Sequence, residues 1–315
     1  HRNLNQTTSA QNVTINSNII AYASFRGIAT PYSGGLDDLA VTLDTLVISG
    51  NEIVDNGKAT TSQSRGNIEI LTAYQRLGSS LKNLQITGNL IAGCANDAGL
   101  ELAYSNADFN VDIRSNTFQN NLIGIRLTND FGNDMPTAGG NGIGGNSSLD
   151  TLALNQINNN VEGGFEIMGA RAGANITRKT LTQNCIYSNG SIGLDLTGAE
   201  VFASYGPTLN DGGYDNTIGN NAYDYPIILY SCPVAGDMSI QGWAPAGARI
   251  ELFRAENDVY YGSVTCKGEG RYFIGTLIEG GTAPALNTDG TPNLLAGVVD
   301  QFSSTSSYSS TTSSC

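Results

Sequence analysis

The chain has a single histidine, at its first residue, among 315 residues. A zinc site of the usual kind needs three or four converging His and Cys ligands, and a Ser-His-Asp triad needs an internal His. Both chemistries are excluded, and His1 is read as a solvated end. Charge is scarce too: charged residues make up 14% of the chain, with 15 basic against 28 acidic. A net charge of −13 argues against nucleic acid or an anionic membrane surface as partner, since either needs clustered Lys and Arg. No apolar run approaches the roughly 20 residues of a membrane span, and no signal peptide precedes His1, as expected of a processed chain. Five cysteines, at 94, 185, 232, 266 and 315, form no CxxC pair. In an acidic chain rich in Asn, Ser and Thr they fit a secreted, extracellular protein with one disulfide, and the odd count leaves at least one thiol over. Cys315, in a short tail, is placed to bond between chains.

What the chain does have is a repeat. Alternating apolar residues lead to an Asn and then to another apolar pair: VTINSNII around Asn18, LVISGNEI around Asn51, LQITGNLI around Asn89 and VDIRSNTF around Asn116. The pattern returns as LALNQI around Asn155 and LTQNCI around Asn184, with steps of 33, 38, 27, 39 and 29 residues. Each copy is followed by a Gly leading an apolar-x-apolar triplet, headed by Gly27, Gly66, Gly99, Gly124, Gly164 and Gly193. The lags from Asn to Gly are 9, 15, 10, 8, 9 and 9. The runs are short, of period two, and separated by Gly/Asn turns, with no helical periodicity between them. A strand of four or five residues cannot bury a face alone. Stacking each coil on the next, about 4.8 Å apart, continues one apolar core. The repeated Asn suits a left-handed turn residue whose amide stacks on that of the next coil. The expectation is a parallel β-helix of six or more coils. The uneven steps must leave as loops, the largest at Thr30–Leu39, Asp55–Arg65 and Asn129–Ser148.

On these motifs the coils resemble secreted bacterial right-handed β-helix proteins of the pectate-lyase-like superfamily. The stretch Gly193–Ile228, from Gly-Leu-Asp-Leu through an Asn/Asp-rich loop to Tyr225-Pro226, is similar to a closing segment of large bacterial cell-surface β-helix proteins. The resemblance implies an all-β chain, with a right-handed parallel β-helix at 1–228 followed by a small Ig-like β-sandwich at 229–310 and a tail at 311–315. Strands are expected at Met238–Trp243, Ala248–Phe253, Tyr260–Val264, Arg271–Leu277 and Asn293–Phe302, five to seven in all. Cys232 and Cys266 are the best-placed pair to staple so small a core.

The middle residue of each triplet points outward. Coil by coil it is Ala29, Glu69, Glu101, Arg126, Glu166 and Asp195. The resemblance implies that this sheet carries the active site in the family's enzymes. Glu101, Glu166 and Asp195 bracket the carboxylate separations of glycoside hydrolysis. A lyase would instead hold Ca²⁺ against a uronate with these carboxylates and use Arg126 as base. The plainer reading is a solvated sheet face on which Arg126 relieves carboxylate repulsion. Asp211, Asp215 and Asn216, on a Gly-rich loop, are a candidate Ca²⁺ cage, or else an Asx-turn cap over the open end of the coils. Five Asn-x-Ser/Thr sites, at Asn5, Asn12, Asn146, Asn175 and Asn189, would matter only in a glycosylating host.

The leading functional expectation is a secreted structural or adhesive cell-surface protein. It would be a fibre or surface-layer subunit, partnered by copies of itself, other surface proteins or glycans. The alternatives are a polysaccharide lyase or glycoside hydrolase acting on an acidic glycan, and a carbohydrate-binding protein without turnover.

Overall fold

A computed structural model describes residues 8–30, 41–58, 66–71, 80–103, 110–128, 151–168, 180–197, 224–234, 237–245, 248–255, 269–278 and 306–307. Among these the chain is all-β. The first coil is β1 (Thr8–Asn16), β2 (Ile19–Ala21) and β3 (Ile28–Ala29); the second is β4 (Val41–Ser49), β5 (Glu52–Val54) and β6 (Ile68–Leu71). The third is β7 (Ser80–Thr87), β8 (Leu90–Ala92) and β9 (Ala98–Ala103), and the fourth β10 (Asn110–Arg114), β11 (Thr117–Gln119) and β12 (Ile123–Thr128). The fifth is β13 (Thr151–Ala153), β14 (Gln156–Asn158) and β15 (Phe165–Met168), and the sixth β16 (Thr180–Thr182), β17 (Cys185–Tyr187) and β18 (Leu194–Thr197). Each strand pairs in parallel with the strand three places on, giving three six-stranded sheets, an arrangement compatible with a parallel β-helix.

The register is the one the repeat dictates. Ile15 stands on Ile48, Ile48 on Ile86 and Ile86 on Ile113 in the first sheet. Ile20, Ile53, Ile91, Phe118, Ile157 and Ile186 form one column in the second. The columns face a single apolar core in which Ile48, Ile86, Ile113, Ile53, Ile91, Phe118 and Ile157 are fully buried. Each buried Ile or Phe contributes roughly 1.5–3 kcal/mol. A one-residue slip in any strand would turn its apolar set outward, so the alternation fixes the register.

The Gly that heads a triplet is there for space. A Cβ on Gly124 would lie 2.4 Å from Ile157 Cγ2 and 2.5 Å from the Gly164 carbonyl oxygen of the next coil.

Beyond the coils, β19 (Ile227–Val234), β20 (Asp237–Trp243) and β23 (Ser306–Ser307) form a three-stranded antiparallel sheet; β21 (Arg249–Arg254) and β22 (Tyr272–Ile278) form a two-stranded one. Three of the expected strands fall on β20, β21 and β22. Those at 260–264 and 293–302 lie outside the described residues, and so does most of each long loop. No described helix is long and apolar enough to cross a membrane.

Candidate functional site

The corners between the first and second sheets carry the expected asparagine ladder. The backbone N–H and Nδ2 of Asn89 both donate to Oδ1 of Asn116 at 2.9 Å. Those of Asn116 donate to Oδ1 of Asn155 at 3.0 Å. Nδ2 also closes on the previous coil, as from Asn116 to the Ile86 carbonyl at 2.7 Å. The same pattern runs from Asn18 through Asn51 to Asn89, and from Asn155 to Asn184.

The expectation that these asparagines hold the left-handed turn is corrected. The left-handed residue is the one before: Ser17, Gly50, Gly88, Ser115, Leu154 and Gln183, with φ of 52–64°. That twist aims the following Asn into the corner, where a left-handed Asn would point elsewhere.

A second ladder, which the sequence reading missed, runs five residues further along coils two, four, five and six. Asn121 donates to Asn160 Oδ1 from its backbone and Nδ2 at 3.0 and 3.3 Å, and Asn160 to Asn189 at 3.1 and 2.8 Å. Its left-handed residues are Tyr22, Asp55, Gly93, Asn120, Asn159 and Ser188. The signal was present as Asn-x-apolar-x-x-Asn at Asn51/Asn56, Asn116/Asn121, Asn155/Asn160 and Asn184/Asn189. Ala23 and Cys94 interrupt it. At Cys94 the gap is bridged by Asn67, whose Oδ1 accepts from Asn56 (3.2 and 3.0 Å) and whose Nδ2 donates to Asn121 Oδ1 at 3.1 Å. Cys94 is a free, fully buried thiol. Burial, and secondarily the nearby Asp97 carboxylate, push it up to about 11. Asn189 is buried within this ladder, which removes it as an accessible glycosylation site in the folded chain.

The third sheet brings the candidate catalytic residues into one row. Ala29 pairs with Glu69, Glu69 with Glu101, Glu101 with Arg126, Arg126 with Glu166, and Glu166 with Asp195. The expectation of a solvated face is corrected: Glu69, Glu101, Arg126, Glu166 and Asp195 are 1–8% exposed. Arg126 joins three coils. Its Nε donates to Glu166 Oε2 at 2.8 Å, and its Nη1 lies 2.5 Å from Asp97 Oδ1 and 4.0 Å from Glu101 Oε2. Burial alone would lower its pKa, but Glu166, Asp97 and Glu101 outweigh it and hold the guanidinium above its already high ordinary range. Arg26 pairs with Glu69 one coil earlier. Among the described residues Arg26 and Arg126 thus pair with Glu69, Asp97, Glu101 and Glu166, in a strip where burying an unpaired charge is costly.

The row sets Glu69 on Glu101 and Glu166 on Asp195 in successive coils. A base must give up its proton near working pH, and Arg126 is held protonated. Among the described residues no three His, Cys, Asp or Glu side chains converge on a metal position. The Ca²⁺ candidates Asp211, Asp215 and Asn216 lie outside the described residues, and so does the proposed Cys232–Cys266 pair, as regards its side chains. Cys185, buried in β17, is disulfide-bonded. Neither a protein-family model nor a curated protein matches the chain.

Proposed function

We propose that this chain is an extracellular scaffold or adhesive surface protein, built as a right-handed pectate-lyase-like β-helix with a trailing Ig-like module. The observation that carries the reading is Arg126. The one cation within the outward row is buried and ion-paired to carboxylates from the coils on either side of it, the arrangement of a clamp between coils. A scaffold needs polar columns that hold coils in register; a polysaccharide enzyme needs an open row with a group free to exchange a proton. The disulfide at Cys185 supports an oxidising compartment. Partners would be glycans, other surface proteins or further copies of the chain.

The test is to incubate the purified protein with neutral and acidic polysaccharides, with and without Ca²⁺, following new reducing ends and the absorbance of unsaturated uronides. The expected result is no release of product. Turnover that Glu166→Gln or Asp195→Asn abolishes, without loss of fold, would overturn the scaffold reading and establish the hydrolase or lyase.

A further inference from the structure

Among the described residues β16, β17 and β18 are the last strands of the three stacked sheets. A sheet edge left open offers its hydrogen-bonding groups to other strands. Here residues of the trailing strands lie against it. The backbone N–H and Nδ2 of Asn189 both donate to Glu269 Oε1 at 2.9 Å. Glu269 thus takes toward Asn189 the place that Asn189 Oδ1 takes toward Asn160. The Ile186 N–H donates to the Gly270 carbonyl at 2.9 Å in an isolated antiparallel bridge. The Arg271 guanidinium lies 4.5 Å from the Tyr187 ring centre. At the end of β16, Glu251 accepts from the Gln183 backbone N–H at 2.7 Å and from the Thr182 hydroxyl. Arg249 Nη1 donates to Thr182 Oγ1 at 3.2 Å.

Cys185 stands among these contacts. It directly precedes Ile186, is 1% exposed and is disulfide-bonded. Elimination places its partner in the trailing part of the chain. Of the four other cysteines Cys94 is a free, buried thiol, and Cys232, Cys266 and Cys315 all follow residue 228. Cys266 lies outside the described residues, but the chain tethers it to the spot. It is three residues before Glu269 and four before Gly270, and four residues span at most about 14 Å. Cys232 is separated from Arg249 by 17 positions, and Cys315 from Arg271 by 44.

We propose that Cys185 and Cys266 form a disulfide that fastens the trailing strands over the sixth coil as the cap of the stack. This pairing takes the place of the Cys232–Cys266 staple expected from the sequence. The bond forms by exchange. The two thiols give two electrons and two protons to a low-molecular-weight disulfide, whose S–S bond breaks as the protein's forms. The polar contacts at this edge are few and partly buried, and each alone contributes little. A covalent link holds Glu251 and Glu269 at high effective concentration beside their donors, and it also restricts the unfolded chain. The inference is independent of the scaffold reading, because a cap of this kind suits a scaffold and an enzyme alike.

The experiment uses the full chain, purified and equilibrated with oxidised glutathione. Thiols are alkylated, the protein is digested without reductant, and linked peptides are found by mass spectrometry. A peptide joining Cys185 to Cys266 is expected. Cys185 linked to Cys94, Cys232, Cys315 or a second chain, or alkylated as a thiol, overturns the pairing. Hydrogen exchange then tests the cap. Cys266→Ser is expected to exchange the Gln183, Ile186 and Asn189 amides at least about tenfold faster than wild type, while the Asn89 and Asn116 amides keep their protection. Equal exchange in a folded variant overturns the fastening role. If Cys266→Ser does not fold, reductant added to folded wild type gives the same readout, with unchanged exchange at those three amides again overturning the role. Polysaccharide turnover bears on neither outcome, so failure here is separate from failure of the scaffold reading.

Discussion

Two kinds of polar column run along this stack, and they achieve burial by different means. The corner ladders are nearly uniform, with asparagine on asparagine. The outer row of the third sheet mixes signs, with Arg26 and Arg126 among Glu69, Asp97, Glu101, Glu166 and Asp195. An amide is donor and acceptor at once, so identical side chains satisfy one another indefinitely. A carboxylate only accepts, so a buried column of them needs cations between. The ladder is therefore robust to length and sensitive to any residue that lacks an amide. The ionic row depends on a few cations, Arg126 above all.

Removing that cation should have the largest effect. Arg126→Met leaves the carboxylates of Asp97, Glu101 and Glu166 buried without their partner, and is expected to cost about 3–5 kcal/mol in urea unfolding. Asn116→Ala should cost somewhat less, about 2–4 kcal/mol, because it strands the Asn89 donors and the Ile86 carbonyl. An Asn116→Asp exchange tests the ladder's neutrality: it keeps an acceptor for Asn89 but sets an acceptor against Asn155 Oδ1, and should also destabilise. A loss as small as that of an exposed Asn→Ala change would mean that the ladder contributes shape alone.

The interruption at Cys94 gives a pH-dependent contrast. Its thiol ionises near 9.0 when unperturbed and near 11 in the fold. The folded state holds that proton more tightly, so its contribution is complete below pH 9 and lost as pH rises through 11. The loss is on the order of 2–3 kcal/mol. Comparing the alkaline unfolding of wild type with Cys94→Ala isolates it, and equal slopes would refute it. The smallest effect expected is a gain. Leu154 sits in left-handed backbone at φ 56°, 44% exposed, a conformation that costs a side-chain-bearing residue about 1–2 kcal/mol. Leu154→Gly should raise stability by up to about 1 kcal/mol, read as a higher melting temperature.

The coils were legible because their signals are local. The Ile/Leu-x-x-Asn corner, the Gly-led triplet and the lag between them fix which residue stands on which, and the row from Ala29 to Asp195 follows from the triplets alone. The left-handed positions were misassigned because the residue before each ladder Asn varies among Ser, Gly, Leu and Gln, while the Asn itself does not. The second ladder escaped notice because Ala23 and Cys94 break it, and its bridge, Asn67, lies in a different part of coil two. Burial of the outer row was not readable, since nothing in Glu101 or Glu166 distinguishes a solvated carboxylate from one facing Arg126. Nor could Glu269 be seen as the acceptor for Asn189, because the two lie 80 residues apart.

The most direct measurement is a double-mutant cycle between Arg126 and Glu166, using Arg126→Met and Glu166→Leu in urea unfolding, with polysaccharide turnover followed on all four proteins. If the row clamps coils together, the two sites should be coupled by about 2–3 kcal/mol, the double variant should recover the part of the loss due to Glu166 while Asp97 and Glu101 stay without Arg126, and turnover should be absent throughout. Coupling near zero, together with turnover in wild type that is lost on changing Glu166, would contradict a structural role for the row.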